Sequence, residues 1–349
     1  MQLGKPTLDV MAKTVFQLKG RESGKVLVGP NRGVDVSVVD IGKGQVMVAS
    51  CDPISFIPSL GPRDSALMSV HEVASDVATS GIAPRFAMFD LNLPPHVSNS
   101  LLSSYWKSVH ETCKGLGLSI VGGHTGRFEG CDYSVIGGAT FWTFCPSNRY
   151  LTSAMASDGD DLILTKTAAY GATAVLSRVF PRRVRRFLGP SLFREAARYL
   201  PRMNTVNDSL TAVKVGIHRY GVTAIHDVTE GGVFAAVLEM ANASAVGGIV
   251  DVESIPVSEE TLQVSKLFRI DPLTSLGEGS LVIASRPDKT KHVMDRLRSN
   301  DVQATVIGQF SSRVQGVRGR EGNRRARIRY PARDPYWQAY SRGLRKGWN

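Results

Sequence analysis

The same short pattern closes two widely separated apolar runs. Leu118-Ser119-Ile120-Val121 leads into Gly122-Gly123-His124-Thr125-Gly126, and Thr223-Ala224-Ile225 leads into His226-Asp227-Val228-Thr229-Glu230-Gly231-Gly232. Each strand-like stretch gives way to glycines and chemistry-bearing side chains, and the second is followed at once by an apolar helical run from Val233. A chain that repeats this junction in both halves is constrained to an α/β architecture, and 349 residues predict about two domains. Glycine reaches φ values closed to other residues and leaves its N–H uncovered. Such junctions therefore have two readings, a plain turn between elements or a cradle for an anion.

The rest of the chain is patterned to match. Strands are predicted at 26–28, 34–39 and 45–50, with Asp35 inside the second and Asp52 just beyond the third. A carboxylate at either place needs water, a donor or a cation. Residues 64–80 read as a helix capped by Asp64, with Asp76 near its end and Gly81 and Pro84 stopping it. A strand at 86–89, a helix at 98–113 and a strand at 133–140 complete a first domain, 1–150, because apolar patterning lapses over 146–158. The second domain, 151–312, holds a strand at 160–165, helices at 168–180, 182–200 and 207–220, and the helix from 233. Strands at 248–252, 279–284 and 304–308 follow, with a helix at 289–299 between the last two.

The net charge of +11 is concentrated in residues 313–349, where eleven Lys or Arg against two acids give +9 and leave only +2 for the remainder. A nearly neutral body excludes a general polyanion-binding surface. In the tail, arginines alternate with Tyr330, Tyr336, Trp337, Tyr340 and Trp348. Basic residues among aromatics suit a nucleic-acid track, but they equally suit an arm whose aromatics pack on the second domain. The arm is favoured because no recognised nucleic-acid module accompanies it. The four cysteines show no paired spacing and read as free thiols. No run approaches the roughly 18 apolar residues of a membrane span, and no secretory signal is evident, so a cytoplasmic location is expected.

Several junctions together match one known pattern. Through Ser75-Asp76-Val77-Ala78-Thr79-Ser80-Gly81, Gly122-Gly123-His124-Thr125, Gly159-Asp160, the 226–232 stretch and Asp271-Pro272-Leu273 followed by Gly277-Glu278-Gly279, the chain resembles the AIR synthase (PurM-like) superfamily. The resemblance covers roughly residues 30–310 and is nearest the HypE-like branch. It implies a two-domain α/β (α+β) fold whose N-terminal sheet domain forms a homodimer, with ATP and Mg2+ held between the domains. It also implies Asp35, Asp52 and Asp76 as metal-holding carboxylates. Gly122, Gly123, His124, Thr125, Gly231 and Gly232 would contact the nucleotide, and Glu278, Asp227 and His124 would act at the reacting phosphate. Lys166 and Arg127 are candidate cationic partners, and His71 and His226 further polar ones.

The departures narrow the function. His124 stands where many relatives have aspartate, and imidazole suits Mn2+ or Zn2+ better than Mg2+, so either it contacts phosphate or the metal differs; contact with phosphate, or with the groups that surround the metal, is favoured. No cysteine follows Cys145, so the terminal-thiol chemistry of HypE is not expected, and none precedes Cys51, where selenophosphate synthetases carry a reactive Cys or Sec. Three functions follow from the resemblance. The leading one is an ATP-dependent enzyme that activates a weak nucleophile of a small molecule by phosphoryl transfer. The others are a small-molecule kinase resembling thiamine-monophosphate kinase, and a non-catalytic nucleotide-binding maturation scaffold.

Overall fold

The computed structural model describes residues 4–6 and 8–348. The first half runs α1 (Leu8–Lys13), β1 (Val26–Val28), β2 (Ser37–Gly42), β3 (Gln45–Ser55), α2 (Gly61–Ala78), β4 (Phe86–Leu93), α3 (Asn99–Leu116), β5 (Ser119–Arg127) and β6 (Val135–Pro146). Its six-stranded sheet has the order β1-β2-β3-β6-β4-β5. Alternation along β4 puts Ala87, Phe89, Leu91 and Leu93 into the core beneath α2 and α3. Among the described residues no helix covers the opposite face, and Met88 and Phe144 there are 46% and 43% exposed.

The second half runs β7 (Asp161–Thr165), α4 (Tyr170–Val179), α5 (Pro181–Ala197), α6 (Val206–Ala212), β8 (Val222–Asp227), α7 (Gly232–Ala243), β9 (Gly248–Asp251) and α8 (Glu259–Phe268). It continues with β10 (Leu281–Ser285), α9 (Pro287–Arg298), β11 (Ala304–Phe310), β12 (Val317–Glu321), β13 (Arg324–Arg327) and α10 (Pro335–Arg345). Its seven-stranded sheet, β13-β12-β9-β11-β7-β10-β8, is covered on both faces. Leu162 and Leu164 face α7, while Ile163 faces α9, and β8 is buried along its whole length. The near-continuous apolar runs of these strands have that cause.

Several expectations are corrected. Residues 122–126 form no turn: they lie within β5, at the edge of the first sheet and parallel to β4. Gly123 serves close strand approach, as does Gly137 on β6. A Cβ on Gly123 would sit 2.0 Å from the Phe89 carbonyl oxygen, and one on Gly137 1.8 Å from that of Asp90. Asp35 precedes β2 rather than interrupting it, and Asp52 lies inside β3. Leu60 occupies the N-cap of α2, and Asp64 instead accepts a hydrogen bond from Arg178 Nε (2.9 Å). The helix expected at 182–200 breaks at Gly189, and that at 207–220 shrinks to α6 followed by short 3-10 turns. The stretch from 313 does more than form an arm. β12 pairs in parallel with β9 and extends the second sheet, and α10 then packs Tyr336 and Ala339 into the cluster built by α4, α5 and α8.

Candidate active site

Acidic side chains from both domains meet where α2 and the β2–β3 region face the end of β8. Asp35 comes from the segment before β2, Asp52 from β3, and Asp76 from α2. Glu72 lies one turn before Asp76 and so on the same side of α2. Asp227 ends β8, and Glu278 lies on the approach to β10, where the backbone of Gly171 comes so close that a Cβ would meet Glu278 N at 2.8 Å. Burial, then repulsion from Asp52 and Asp227, pushes the Glu72 carboxyl up to about 8. Burial followed by the charge of Asp35 pushes Asp227 up to about 7. Asp76 and Glu278 are held well above the ordinary carboxylate range, again by burial first and their acidic neighbours second. Ser50 donates to Asp76 Oδ2 (2.6 Å), which favours its charged form. The set is short of positive charge, and a cation placed among these groups would relieve it.

Two cationic groups are nearby. Lys5 donates through Nζ to Thr229 Oγ1 (3.2 Å), and its charge is felt by Asp52, Asp227 and Glu278. His226, 3% exposed, stands between the domains. Its Nε2 is 3.0 Å from Glu239 Oε2, and its Nδ1 is 2.6 Å from Asp35 Oδ1 and 3.9 Å from Asp227 Oδ1. Burial opposes charge on this ring, but Asp35 and Glu239 outweigh it and raise its proton affinity well above the ordinary imidazole value. The contact with Asp35 Oδ1 is close but lies off the ring N–H direction, so Nδ1 is buried without a hydrogen-bond partner; the other carboxylate oxygen, Asp35 Oδ2, is buried without one as well. Tyr330 completes the chain by donating to Glu239 Oε1 (3.0 Å).

Oxygens of Asp35 and Asp227 lie with a nitrogen of His226 within 4.8 Å of one another, a spacing that could hold a cation, and the orphaned Asp35 Oδ2 faces no protein donor. The structure thus gathers Asp35, Asp52, Asp76, Asp227 and Glu278 in one chamber. It does not bring His124 there. That ring is exposed on β5 and stacks on Phe128 with centroids 6.3 Å apart. The amides at the start of α7 are also spoken for, since Gly231 N–H donates to Asp334 Oδ2 (2.8 Å) and Gly232 N–H to Thr229 O (3.2 Å). The anion at that helix start is the chain's own Asp334.

Other candidates fall outside the chamber. Lys166 is tied to Asp208 (2.7 Å) and donates to Gly279 O (2.7 Å), while Arg127 donates to Val97 O and to Asn99 Oδ1 (2.7 Å). Burial, with Lys166 nearby, lowers His71 to about 4 and keeps it neutral. The tail's aromatics are not free to stack on bases: Tyr336, Trp337, Tyr340 and Trp348 pack in the second domain, with the Arg183 guanidinium 5.0 Å from the Trp348 ring centre. Glu72, Glu239 and Lys5 are functional residues that the sequence reading misses, and Tyr330 figures in it only as a tail aromatic. Glu72 carried a usable signal in its helical spacing from Asp76, and Glu239 another as a lone acid on an apolar helix.

This is a two-domain α/β protein whose acidic chamber lies at the domain junction. The AIR synthase related N-terminal domain matches residues 33–141 and the corresponding C-terminal domain residues 157–318, and the chain belongs to that family, on its HypE-like side. Carbamoyl dehydratase HypE of Escherichia coli is 28% identical over 284 residues, 80% of each chain. A putative hydrogenase expression/formation protein of Methanocaldococcus jannaschii is 24% identical over 291 residues, 81% of each. The crystal structure of E. coli HypE superposes with a TM-score of 0.71 at 22% identity, covering 94% of this chain and 98% of that one. A HypE solved in complex with ATP gives 0.66 at 18% identity, covering 96% and 98%. Among the described residues no helix is long and apolar enough to cross a membrane.

Proposed function

We propose that this protein binds ATP with a divalent cation in the carboxylate chamber and transfers a phosphoryl group to a weak oxygen or similar nucleophile of a small molecule. The observation that carries the reading is the convergence of Asp35, Asp52 and Asp76 from one domain with Asp227 and Glu278 from the other; burial and their acidic neighbours raise the proton affinity of Asp52, Asp76, Asp227 and Glu278. Relatives solved with ATP, or with AMPPCP and TMP, support the same ligand class. The metal would supply charge neutralisation on the triphosphate. Asp35, Asp52 and Asp76 would hold it on one wall and Asp227 on the other. Phosphoryl transfer asks the protein chiefly for positioning and electrostatics, and Glu278 would orient the accepting group.

The helix-free face of the first sheet supports a homodimer as part of this reading. A second copy laid on that face would cover Met88, Val121 and Phe144, which are 46%, 49% and 43% exposed. It would also put the edge strand bearing Gly122, Gly123, His124 and Thr125 at the interface. The test is calorimetric titration with a non-hydrolysable ATP analogue in the presence of Mg2+, Mn2+ or Zn2+. Metal-dependent binding near one per chain is expected, and Asp76→Ala should abolish it. Unchanged binding in that variant removes Asp76 from the site, and no binding with any metal removes the reading. Product analysis then separates a kinase, which leaves a stable phosphorylated product, from a synthetase-type reaction, which consumes ATP to give a cyclised or dehydrated one.

A further inference from the structure

We propose that the divalent ion of this chamber is held in part by nitrogen, with His226 Nδ1 joining Asp35 and Asp227, so that the site favours a borderline ion of the Mn2+ or Zn2+ kind over Mg2+. The inference rests on the chamber being the divalent-ion site and concerns only which atoms bind the ion. His226 is 3% exposed, its Nδ1 is buried without a hydrogen-bond partner, and one oxygen each of Asp35 and Asp227 lies with that nitrogen inside a sphere of contacts no wider than 4.8 Å. Nδ1 makes no well-directed hydrogen bond although Asp35 Oδ1 lies 2.6 Å away, and a buried polar atom so placed is costly. Two ligand atoms each about 2.1 Å from one ion stand roughly 3–3.5 Å apart. The observed Nδ1 separations, 2.6 Å to Asp35 and 3.9 Å to Asp227, bracket that value, so sub-ångström side-chain movements admit the ion.

The other side of the ring is built to suit. Nε2 faces Glu239 Oε2 at 3.0 Å, and Tyr330 donates to the other oxygen of the same carboxylate at 3.0 Å. A carboxylate accepting from Nε2–H keeps that proton in place and leaves Nδ1 as the nitrogen that turns to an ion, releasing any proton it shares with Asp35, and it increases that nitrogen's donor strength. This is the usual arrangement behind a metal-bound histidine. Imidazole is a poor ligand for Mg2+ and a good one for Zn2+ and its neighbours. The histidine that sets the metal is therefore His226 and not His124, which stands exposed on β5. Glu239 and Tyr330 act through His226 as positioning residues.

The experiment titrates the full-length protein with Mn2+ alone, then with Zn2+ alone, and records pulsed electron paramagnetic resonance of the Mn2+ complex with 15N-labelled histidine. Nitrogen coupling in the wild type is expected to vanish in His226→Gln, with at least a 10-fold loss of Zn2+ affinity. Glu239→Gln should keep the coupling while weakening Zn2+ about 10-fold or more. Mn2+ bound without nitrogen coupling, or coupling that persists in His226→Gln, overturns the proposal. The wild-type spectrum decides the matter even if His226→Gln fails to fold. Binding of a non-hydrolysable ATP analogue with Mg2+ is followed separately. Its absence defeats the nucleotide reading, whereas its presence without nitrogen coupling defeats only the assignment of His226.

Discussion

Asp227 offers the sharpest energetic test of the chamber. It is 3% exposed, and burial together with Asp35 moves its carboxyl from 3.8 to about 7. Below pH 4 the group is protonated in both folded and unfolded chains and costs nothing. Between pH 4 and 7 the folded chain keeps a proton that the unfolded chain has released, so stability falls as pH rises, and above 7 the penalty is complete. A difference of about three pH units corresponds to about 4 kcal/mol. For 349 residues, at about 2 cal/mol/K of unfolding entropy each, that is about 6 °C in melting temperature. His226 adds to the slope with the same sign, because its raised proton affinity stabilises the folded chain at low pH and is lost on going basic. Thermal melts from pH 5 to 8, with and without millimolar Mg2+, are the assay. The metal-free melting temperature should drop, Mg2+ should raise it more at pH 8 than at pH 5, and Asp227→Asn should flatten the metal-free curve. A metal-free curve that is level or rising, with no larger Mg2+ effect at pH 8, would refute this account of the carboxylates.

Two further outcomes follow from backbone packing. Gly123→Ala places a Cβ 2.0 Å from the Phe89 carbonyl oxygen at φ 150° and should destabilise by about 2–4 kcal/mol, whereas Gly122→Ala, whose Cβ meets nothing nearer than Met88 Cε at 3.6 Å, should stay within about 1 kcal/mol in urea denaturation. Asp334→Ala removes the acceptor for the amides of Gly231 and Tyr336, both at 2.8 Å, and should cost about 2–4 kcal/mol. Hydrogen exchange over 335–345 should quicken in that variant; unchanged protection would mean that α10 holds without its cap.

The fold was legible where patterning had one cause. The apolar runs of β7, β8 and β10 and the helices α2, α3, α7 and α9 follow from periodicity, and Asp76 and Asp227 stood out as acids at element ends. Residues 122–126 misled because tight turns and crowded strands both require glycine, and only the partner at Phe89 tells them apart. The tail misled in the opposite way. Val317-Arg318-Gly319-Arg320 alternates buried and exposed positions as an ordinary strand does, but its arginines drew attention to charge instead of period. Lys5 and Tyr330 were beyond reach, since nothing local marks a residue whose role is fixed by partners more than two hundred or about ninety positions away.

The long-range partners also explain why the turn between β8 and α7 is placed so firmly. Glu230 accepts from the Lys5 amide (3.0 Å) and from Trp337 Nε1 (3.1 Å), so the described N-terminal segment and the C-terminal helix meet on one carboxylate. The next residue, Gly231, has its amide on Asp334. Three residues before Glu230 is Asp227, and its neighbour His226 reaches Asp35 of the first domain. Both ends of the chain therefore converge on the turn that positions the chamber's second wall. The helix start cannot serve as a phosphate cradle while Asp334 occupies it. It serves instead to anchor α10, whose aromatics fill the cluster under α4 and α5. Charge concentrated in the tail thus flanks a structural clasp, and under the proposed reading the binding of a polyanion would fall to the carboxylate chamber and the cation it holds.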